Sequence, residues 1–347
     1  MPGADDSGRI RVLVTAEDFG AAAQLAAVLS DWEGSSKHVD VQALASDVSL
    51  RAFIEAGIEC STVPPADIPE RISVFDPDAV LLGLSLERPS LDDTAAHVAR
   101  KMAIPQYAVQ DYWGYLGQYN EQFLPDAFFV LDAEASRLTS ERTSGRAKTV
   151  VAGSPRHERQ VTAGPFHPGV NFECERPTVA IYGQPSTIPG VRDSLAAVIR
   201  SLGRHPGPLS LAFQPHPADD ASVDWSAELD ATGHPWLMPG NPEQRAHVLA
   251  TAHLVVTPFS TIGFDHAWLQ ATAHAPLGNL RYVLLNEEVR AFFRQQAGTT
   301  EIPGTNTGMG TTITDPEELD HTLHGAIRDE SNARGYHLAA RRGLRRR

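Results

Sequence analysis

The chain has 347 residues, of which 42% are hydrophobic and 21% charged, and its formal net charge is −14. This length exceeds that of one ordinary domain, so we expect two globular domains. The acidic balance argues against a general nucleic-acid binder, which needs a basic face to neutralise phosphates. Two cysteines, Cys60 and Cys174, lie far apart and outside any CxxC spacing. Their placement excludes a disulfide scaffold and a thiolate zinc site, and indicates a reducing compartment.

The N-terminal segment MPGADDSGRI lacks the charged and apolar regions of a signal peptide, and no apolar run reaches the roughly 18 residues of a membrane span. We therefore expect a cytoplasmic protein without stable membrane insertion. The sequence leaves the oligomeric state open, a homodimer included.

Strand-like and helix-like runs alternate through the first part of the chain. A β-branched run at 10–15 is followed by an alanine-rich helical pattern at 21–29. Further strands are predicted at 39–44, 79–84, 105–109, 128–131 and 149–152, and further helices at 48–56 and 94–102. Such alternation predicts a parallel sheet covered by helices on both faces. We assign residues 1–160 to an N-terminal, acceptor-side Rossmann-like domain.

The alternation stops and then resumes. Residues 161–177 are polar, aperiodic and rich in Gly, Pro and His, which is typical of a linker. A second Rossmann-like domain, which would bind the nucleotide sugar, is predicted over 178–330. Its expected strands are 178–182, 209–213, 236–238, 254–256 and 282–285, and its expected helices are 194–202, 242–252 and 264–272. The arginines near the C-terminus predict a frayed, solvated basic tail over 331–347. In such two-domain α/β folds, ligands bind in a cleft at the carboxyl ends of the strands.

The run 254–267 carries the strongest functional signal. An apolar strand ends at a Thr-Pro turn, and two hydroxyls, Ser260 and Thr261, then precede Gly263, Asp265 and a helix-like run. Free backbone N–H groups at a helix start, with hydroxyls beside them, can bind a diphosphate without a metal. The alternative is an ordinary helix N-cap at one of the two hydroxyls.

Two other loops of the second half follow strands. Gly183 and Gln184 open a loop whose flexibility and hydroxyls suit a phosphate, although ordinary turn chemistry explains it equally well. His216 stands between two prolines at a strand end, where a stiff backbone favours donation of a hydrogen bond to a phosphate. Leu237 and Met238 could present backbone groups to a base edge, or simply end a buried strand.

Acidic and aromatic residues follow strands of the first half. Glu17 and Asp18 are adjacent, and if partly buried they cannot both ionise freely, so one pKa should rise as a general base requires. Helix capping by Asp18 is the alternative. Asp111, Tyr112 and Trp113 form a polar and aromatic cluster that suits a sugar ring or flat heterocycle as acceptor. Packing of Trp113 into the domain core is the competing explanation.

Metal and common nucleotide motifs are not found. The sequence has fourteen histidines, but none shows HxxxH or HExxH pairing, so we predict no metal site. No GxxxxGK[ST] loop occurs, and no GxGxxG follows a strand. Nucleoside triphosphate hydrolysis and dinucleotide redox chemistry are therefore poorly supported.

The two α/β halves, the His216-Pro217 pair and the Ser260-Thr261 helix start resemble the GT-B glycosyltransferases. The resemblance is closest to bacterial sialyltransferases, polysialyltransferases and CDP-glycerol glycerophosphotransferases, and UDP-GlcNAc 2-epimerases share the fold. It implies an α/β fold of two Rossmann-like domains. It also implies phosphate contacts by His216, Ser260 and Thr261, ribose contacts by Asp265, and base contacts by Leu237 or Met238. The acidic motif of the sialyltransferases is matched imperfectly, because Phe19 separates Asp18 from the following Gly.

These observations predict a metal-independent, inverting glycosyltransferase. It would move a sugar from a UDP- or CMP-linked donor to a small acceptor, a sugar or a heterocycle, without a cofactor. Asp18, or Glu17 if the loop turns differently, would deprotonate the acceptor. The alternatives are a nucleotide-sugar 2-epimerase or hydrolase, and a non-catalytic nucleotide-sugar-binding partner subunit.

Overall fold

The computed structural model describes residues 9–35, 38–85, 89–120, 122–158, 169–219 and 223–344. The chain divides into two compact units. Unit 1 comprises Met1–Gln160 and Gln296–Gly298, and unit 2 comprises Val161–Gln295 and Thr299–Arg347. Residues 161–168 of the predicted linker and residues 345–347 of the predicted tail lie outside the described ranges. None of the described helices is long and apolar enough to cross a membrane.

Unit 1 is built on a seven-stranded parallel sheet. Its strands are β1 Ile10–Ala16, β2 Val39–Ala45, β3 Ser61–Thr62, β4 Ala79–Leu82, β5 Gln106–Val109, β6 Ala127–Val130 and β7 Thr149–Val151. Their order is β3-β2-β1-β4-β5-β6-β7, and every pair is parallel. Helices of unit 1 that lie wholly within the described residues include α1 Phe19–Ser35, α2 Asp47–Glu55, α3 Ile68–Phe75, α4 Leu91–Lys101 and α5 Ala133–Arg142.

The core of unit 1 lies between this sheet and its helices. From Val12 to Ala16, β1 is buried at every residue, as expected for a strand covered on both faces. Apolar residues of α1 and α2, including Leu25 and Phe53, pack against it. Helix α4 begins with a reciprocal capping box between Ser90 and Asp93, which fixes its start three residues before the predicted one.

Unit 2 contains a six-stranded parallel sheet. Its strands are β8 Thr178–Tyr182, β9 Ser210–Gln214, β10 Trp236–Leu237, β11 Leu254–Thr257, β12 Asn279–Val283 and β13 Thr311–Ile313, in the order β10-β9-β8-β11-β12-β13. Its helices are α6 Val191–Gly203, α7 Ser226–Asp230, α8 Pro242–Thr251, α9 Ile262–Thr272, α10 Glu287–Ala297, α11 Leu319–Ile327 and α12 Glu330–Leu344. The last residues of α10 group with unit 1. Two Rossmann-like parallel sheets are therefore confirmed.

The prediction of a frayed tail over 331–347 is wrong for the residues that the structure describes. They form α12, which packs against α9. Ala333, Tyr336 and Ala340 are buried at helical spacing, so one face of the helix belongs to the core. Of the arginines that suggested a solvated tail, Arg341 and Arg342 lie in the last turn of α12.

Candidate functional site

The sheet order of unit 2 brings three predicted phosphate-contacting loops to one edge. Strand β8 pairs with β9 on one side and with β11 on the other, and all three are parallel. The order reverses between β8 and β11, and ligands in open α/β sheets bind outside the carboxyl ends of the strands at such a switch point. The loop at Gly183 follows β8, the loop at His216 follows β9, and Ser260 and Thr261 follow β11.

The loops after β8 and β9 are in direct contact. The Gly183 N–H donates to the Gln214 carbonyl at 2.8 Å. A Cβ at position 183 would lie 3.1 Å from the His216 nitrogen, so the absence of a side chain there permits the close approach. The Ser186 N–H donates to the Asp219 carboxylate at 2.7 Å and ties the loops together again. Gln184, between these contacts, is buried.

The environment of His216 fixes its protonation. Its Nδ1 accepts a hydrogen bond from the Ala218 N–H at 3.2 Å, so the neutral ring carries its proton on Nε2. Burial lowers the pKa of His216 to about 4, against a smaller opposing effect of Asp219. At neutral pH the imidazole is therefore an uncharged donor through Nε2–H, which is compatible with the predicted phosphate contact.

The helix start after β11 is only partly capped. The Ser260 hydroxyl accepts the Ile262 N–H at 3.3 Å, a long bond. Thr261 occupies the N-cap position of α9 and makes no side-chain capping hydrogen bond. Carbonyls of the same turn accept the N–H groups of Gly263 and Phe264 at 3.1 and 2.9 Å. Ser260 thus takes part in the capping alternative, whereas Thr261 does not.

Asp265 is buried in α9, with 3% of its surface exposed. Burial raises the pKa of the Tyr182 and Tyr282 phenols, and the charge of Asp265 adds to the increase. The Tyr282 hydroxyl packs so tightly on Gly263 that a Cβ there would collide with it. This helix start is therefore built on a buried acidic and phenolic layer. The predicted ribose contact of Asp265 stays a prediction.

Leu237 and Met238 lie apart from that helix start. Leu237 ends β10, the edge strand of the sheet, and the two side chains are 52% and 42% exposed. Strands β9 and β8 separate β10 from β11, which at ~4.8 Å per strand amounts to about 14 Å. Neither side chain is in the core, which contradicts the alternative that these residues end a buried strand.

Unit 1 has the same kind of switch point, between β1 and β4. Glu17 follows β1, and its Oε2 accepts the N–H of Leu91, the first residue of α4, at 2.9 Å. Its own N–H donates to Asp92 at 3.1 Å. Asp18 is half-buried directly before α1, and its carbonyl accepts the Ala22 N–H at 3.0 Å. The Glu17 side chain thus accepts a hydrogen bond at the start of α4. Such a helix-capping role was the alternative given above for Asp18.

A buried carboxylate at this switch point was not predicted from the sequence. Asp92 is fully buried and accepts hydroxyl hydrogen bonds from Thr15 and Ser85, each at 2.5 Å. Burial raises its pKa, although these hydrogen bonds oppose the increase. The Tyr115 hydroxyl donates to the Ser85 carbonyl and extends the network. The Ser90–Asp93 capping pattern was the available signal, since it places Asp92 in the first turn of a helix after β4.

Asp111 follows β5 and is half-buried. A Cβ at Gly20 would collide with its carboxylate, so this group lies against the first turn of α1. Burial raises the pKa of Asp111 to about 6; a backbone hydrogen bond and Arg156 lower it, and Asp92 adds to the increase. Asp111 was predicted as an acceptor contact, and its pKa now makes it a candidate general base as well.

Tyr112 and Trp113 differ in accessibility. Their rings meet edge to face, with centroids 5.7 Å apart. Tyr112 is half-buried, but Trp113 is only 4% exposed, and its indole N–H donates to both oxygens of Asp132 at 3.0 and 3.1 Å. Asp132 in turn caps α5. Packing into the core is therefore the observed role of Trp113, and its burial leaves no ring face for an acceptor.

Within the ranges that the structure describes, no group of three or more His, Cys, Asp or Glu side chains is arranged to hold a metal ion. The candidate donors that follow β9 and β11 are the imidazole of His216 and the hydroxyls of Ser260 and Thr261.

Comparison with solved structures identifies the architecture. A putative UDP-N-acetylglucosamine 2-epimerase from Listeria monocytogenes superposes with a TM-score of 0.69 at 12% identity, covering 96% of this chain and 94% of that one. The chain has the GT-B fold. The UDP-GlcNAc 2-epimerase from Neisseria meningitidis, solved with UDP-GlcNAc, gives 0.63 at 12% identity over 95% and 97% of the two chains. MurG from Acinetobacter baumannii gives 0.58 at 12% identity over 96% and 95%.

No protein-family model matches the sequence, and a search of curated proteins finds no match. The solved structures share the fold of this chain at identities too low to carry an activity. They support the GT-B part of the sequence-based resemblance, and they add nothing to the finer likeness to sialyltransferases and CDP-glycerol glycerophosphotransferases.

Proposed function

We propose that the chain is an enzyme that binds a UDP- or CMP-linked sugar at the switch point of unit 2. The observation that carries this proposal is the order β9-β8-β11, which brings the loops of His216, Gly183 and Ser260 to one sheet edge. That edge is where α/β sheets bind nucleotides. The Neisseria epimerase, which shares the fold, was solved with UDP-GlcNAc bound, and this agrees with the proposed class of ligand.

The proposed donor site works through neutral hydrogen-bond donors. His216 offers Nε2–H, and the hydroxyls of Ser260 and Thr261 stand at the start of α9. Negative charge that develops on the leaving nucleotide would be stabilised by these donors and by the helix N-terminus. We propose that the reaction needs neither a metal nor a cofactor, with Gly183 and Gln184 completing the phosphate contacts.

The reaction we propose first is inverting glycosyl transfer to a small acceptor. A carboxylate of unit 1 would remove the acceptor proton as the sugar is transferred. Asp18 is the base predicted from sequence. Asp111 is a second candidate, because its pKa of about 6 is close to the value that suits a base at neutral pH. The Glu17 carboxylate already accepts the Leu91 N–H, which makes it the weaker candidate.

Epimerisation or hydrolysis of the nucleotide sugar is the second candidate. Two of the three superposed structures named above are 2-epimerases or a putative one. Unit 1 also holds Asp18 and Asp111 after strands β1 and β5, and these two carboxyl groups could supply the acid–base chemistry of a reaction without an acceptor. A binding subunit without catalysis would use the same donor site and leave these carboxylates idle.

Product analysis separates the three functions. The purified protein is incubated with UDP-GlcNAc and with CMP-sialic acid, with and without a panel of sugar and heterocyclic acceptors, and the products are followed by proton NMR. Transfer predicts a new glycosidic product only when an acceptor is present, with inverted anomeric configuration. Conversion at the same rate without acceptor indicates the epimerase or hydrolase. Binding of a nucleotide sugar without any turnover indicates the partner subunit, and binding of neither would contradict the donor site itself.

A further inference from the structure

Arg281 is a buried cation in the middle of β12. Only 7% of its surface is exposed. Strand β12 lies between β11 and β13 in the sheet of unit 2. Its Nη1 donates to the Leu280 carbonyl at 3.0 Å, and its Nε finds no hydrogen-bond partner among the described residues. Burial lowers the pKa of this guanidinium, and the charge of Asp329 offsets only part of the effect. A buried guanidinium without a carboxylate in contact is costly unless something else pairs with it.

The neighbouring amide cannot complete the pairing. Asn332 can turn its oxygen toward Arg281, where it accepts from Nη1 and Nη2 at 3.2 and 3.0 Å. In the opposite orientation it donates to Asn279 Oδ1 at 2.8 Å. Asn279 is itself fixed, because its Nδ2 donates to the Ala326 and Asp329 carbonyls. The Asn332 amide can bond to Arg281 or to Asn279, but not to both. The hydrogen bonds around Arg281 therefore remain incomplete in either orientation.

A cavity of about 160 Å³ adjoins this guanidinium. Beside Arg281, its lining includes Asn279, Thr305, Gly308, Gly310, Thr311 and Asn332. Gly308 and Thr311 are exposed, which opens it to solvent. Since a water molecule takes about 30 Å³ in the liquid, the cavity has room for a small polyatomic ion with some water.

Part of the cavity wall is a glycine-containing loop. Gly308 and Gly310 have φ of 85° and 101°, in the region that favours glycine. A Cβ at Gly310 would lie 3.1 Å from Leu280 and 3.2 Å from Tyr282, so the loop approaches β12 as closely as it does because no side chain is present. Thr305 donates its hydroxyl hydrogen to the Ile302 carbonyl and can only accept from a ligand.

We propose that this cavity is an oxyanion-binding site in which a phosphate group accepts hydrogen bonds from the Nη2 end of the Arg281 guanidinium and from the Thr311 hydroxyl. A guanidinium presents several N–H groups in one plane, a geometry that matches the oxygens of a phosphate. Asn279 and Thr311, which line the cavity, are the first residues of β12 and β13. The proposed donor site lies instead at the carboxyl ends of β8, β9 and β11. It is therefore a second site, at the opposite edge of the same sheet. The ligand is inorganic phosphate or the phosphate of a small phosphomonoester.

Thermal unfolding of the full chain with inorganic phosphate tests this site. Phosphate should raise the melting temperature of the wild type more than potassium chloride of equal ionic strength. In Arg281→Met the phosphate effect should be much smaller than in the wild type, and the affinity measured by calorimetry should fall roughly tenfold or more. Without phosphate, Arg281→Met should melt no lower than the wild type, because it removes an unpaired buried charge. Glycerol 3-phosphate, tested in the same way, distinguishes a phosphomonoester from free phosphate by which ligand binds more tightly.

The Ser260→Ala variant is the matched control, since it alters the proposed donor site only and should keep the phosphate effect. Loss of the effect in Ser260→Ala with retention in Arg281→Met would place the phosphate in the donor site and overturn the proposal. Equal effects of phosphate and chloride on the wild type would also overturn it. If Arg281→Met does not fold, tungstate is soaked into wild-type crystals. Anomalous density beside Arg281 supports the site, and its absence there refutes it.

Discussion

The carboxylate of Asp111 lies against Gly20, at the first turn of α1, where a Cβ would collide with it. Glycine at position 20 is therefore required for this carboxylate to reach the helix start. The N-terminus of a helix favours a negative charge, whereas burial disfavours it. Burial prevails, because the pKa of Asp111 is raised to about 6. This balance makes Asp111 sensitive to pH in a range where most carboxylates are fully ionised.

Asp111→Asn should stabilise the protein at neutral pH. Because the folded-state pKa of about 6 exceeds the ordinary value of 3.8, the contribution of Asp111 to stability is fully present below pH 4 and is lost as pH rises through 6. The asparagine variant does not titrate, so its stability relative to wild type should increase by about 1–3 kcal/mol between pH 4 and pH 7.5. Urea unfolding at both pH values measures this. Asp31→Asn, at an exposed position of α1, is the control, and an equal pH effect in both variants would contradict the assignment.

The general base should be identifiable by kinetics. If Asp111 is the base, Asp111→Asn should reduce turnover by roughly 10²–10⁴-fold while donor affinity stays nearly constant. The wild-type kcat/KM should then rise with pH through about 6, where Asp111 ionises. If Asp18→Asn shows this loss of turnover and Asp111→Asn stays active, Asp18 is the general base. Full activity in both variants would exclude both residues.

Asp92 should be important for folding. It is buried and accepts hydrogen bonds from Thr15, Ser85 and the Glu17 N–H. Asp92→Asn replaces one acceptor oxygen by a donor and leaves a buried donor facing donors, which should cost about 1–3 kcal/mol. Chemical denaturation measures the loss. Asp93→Asn is the matched control from the same helix turn, and its effect should be smaller because Asp93 is only half-buried.

Nucleotide binding should depend on His216 and Ser260. Alanine at either position removes a proposed donor to the phosphates, so the affinity for UDP or CMP should weaken by about 1–3 kcal/mol. Isothermal titration calorimetry is the measurement. His247→Ala, at an exposed position of α8, should bind as the wild type does. Unchanged affinity in both site variants, with folding intact, would refute the proposed donor site.

Activity should survive removal of divalent cations. The proposed donor site stabilises phosphate charge with a helix N-terminus, hydroxyls and a neutral imidazole, which can replace a cation. Turnover in EDTA should therefore equal turnover in buffer alone. Restoration of a lost activity by Mg²⁺ or Mn²⁺ would show that the donor site uses a metal.

The sequence determined the elements with regular patterns. Strands such as 178–182 and helices such as 242–252 were predicted within one or two residues, because alternating apolar runs and turn residues are local signals. Strand β12 was misplaced by three residues at its start, since Asn279 and Arg281 interrupt its apolar pattern. The amphipathic face of α12 was overlooked because the arginines of its last turn suggested a solvated tail.

The tertiary structure decided which groups share an environment. The motif residues His216 and Ser260 could be found from sequence, but only the strand order assigned their loops to neighbouring strands. The pKa of Asp111 and the hydrogen bonds of Asp92 depend on partners distant along the chain, including Gly20 and Thr15. The incomplete pairing of Arg281 likewise depends on Asn332, 51 positions away. Local patterns specify helices and strands, whereas burial and charge pairing arise only when distant segments pack together.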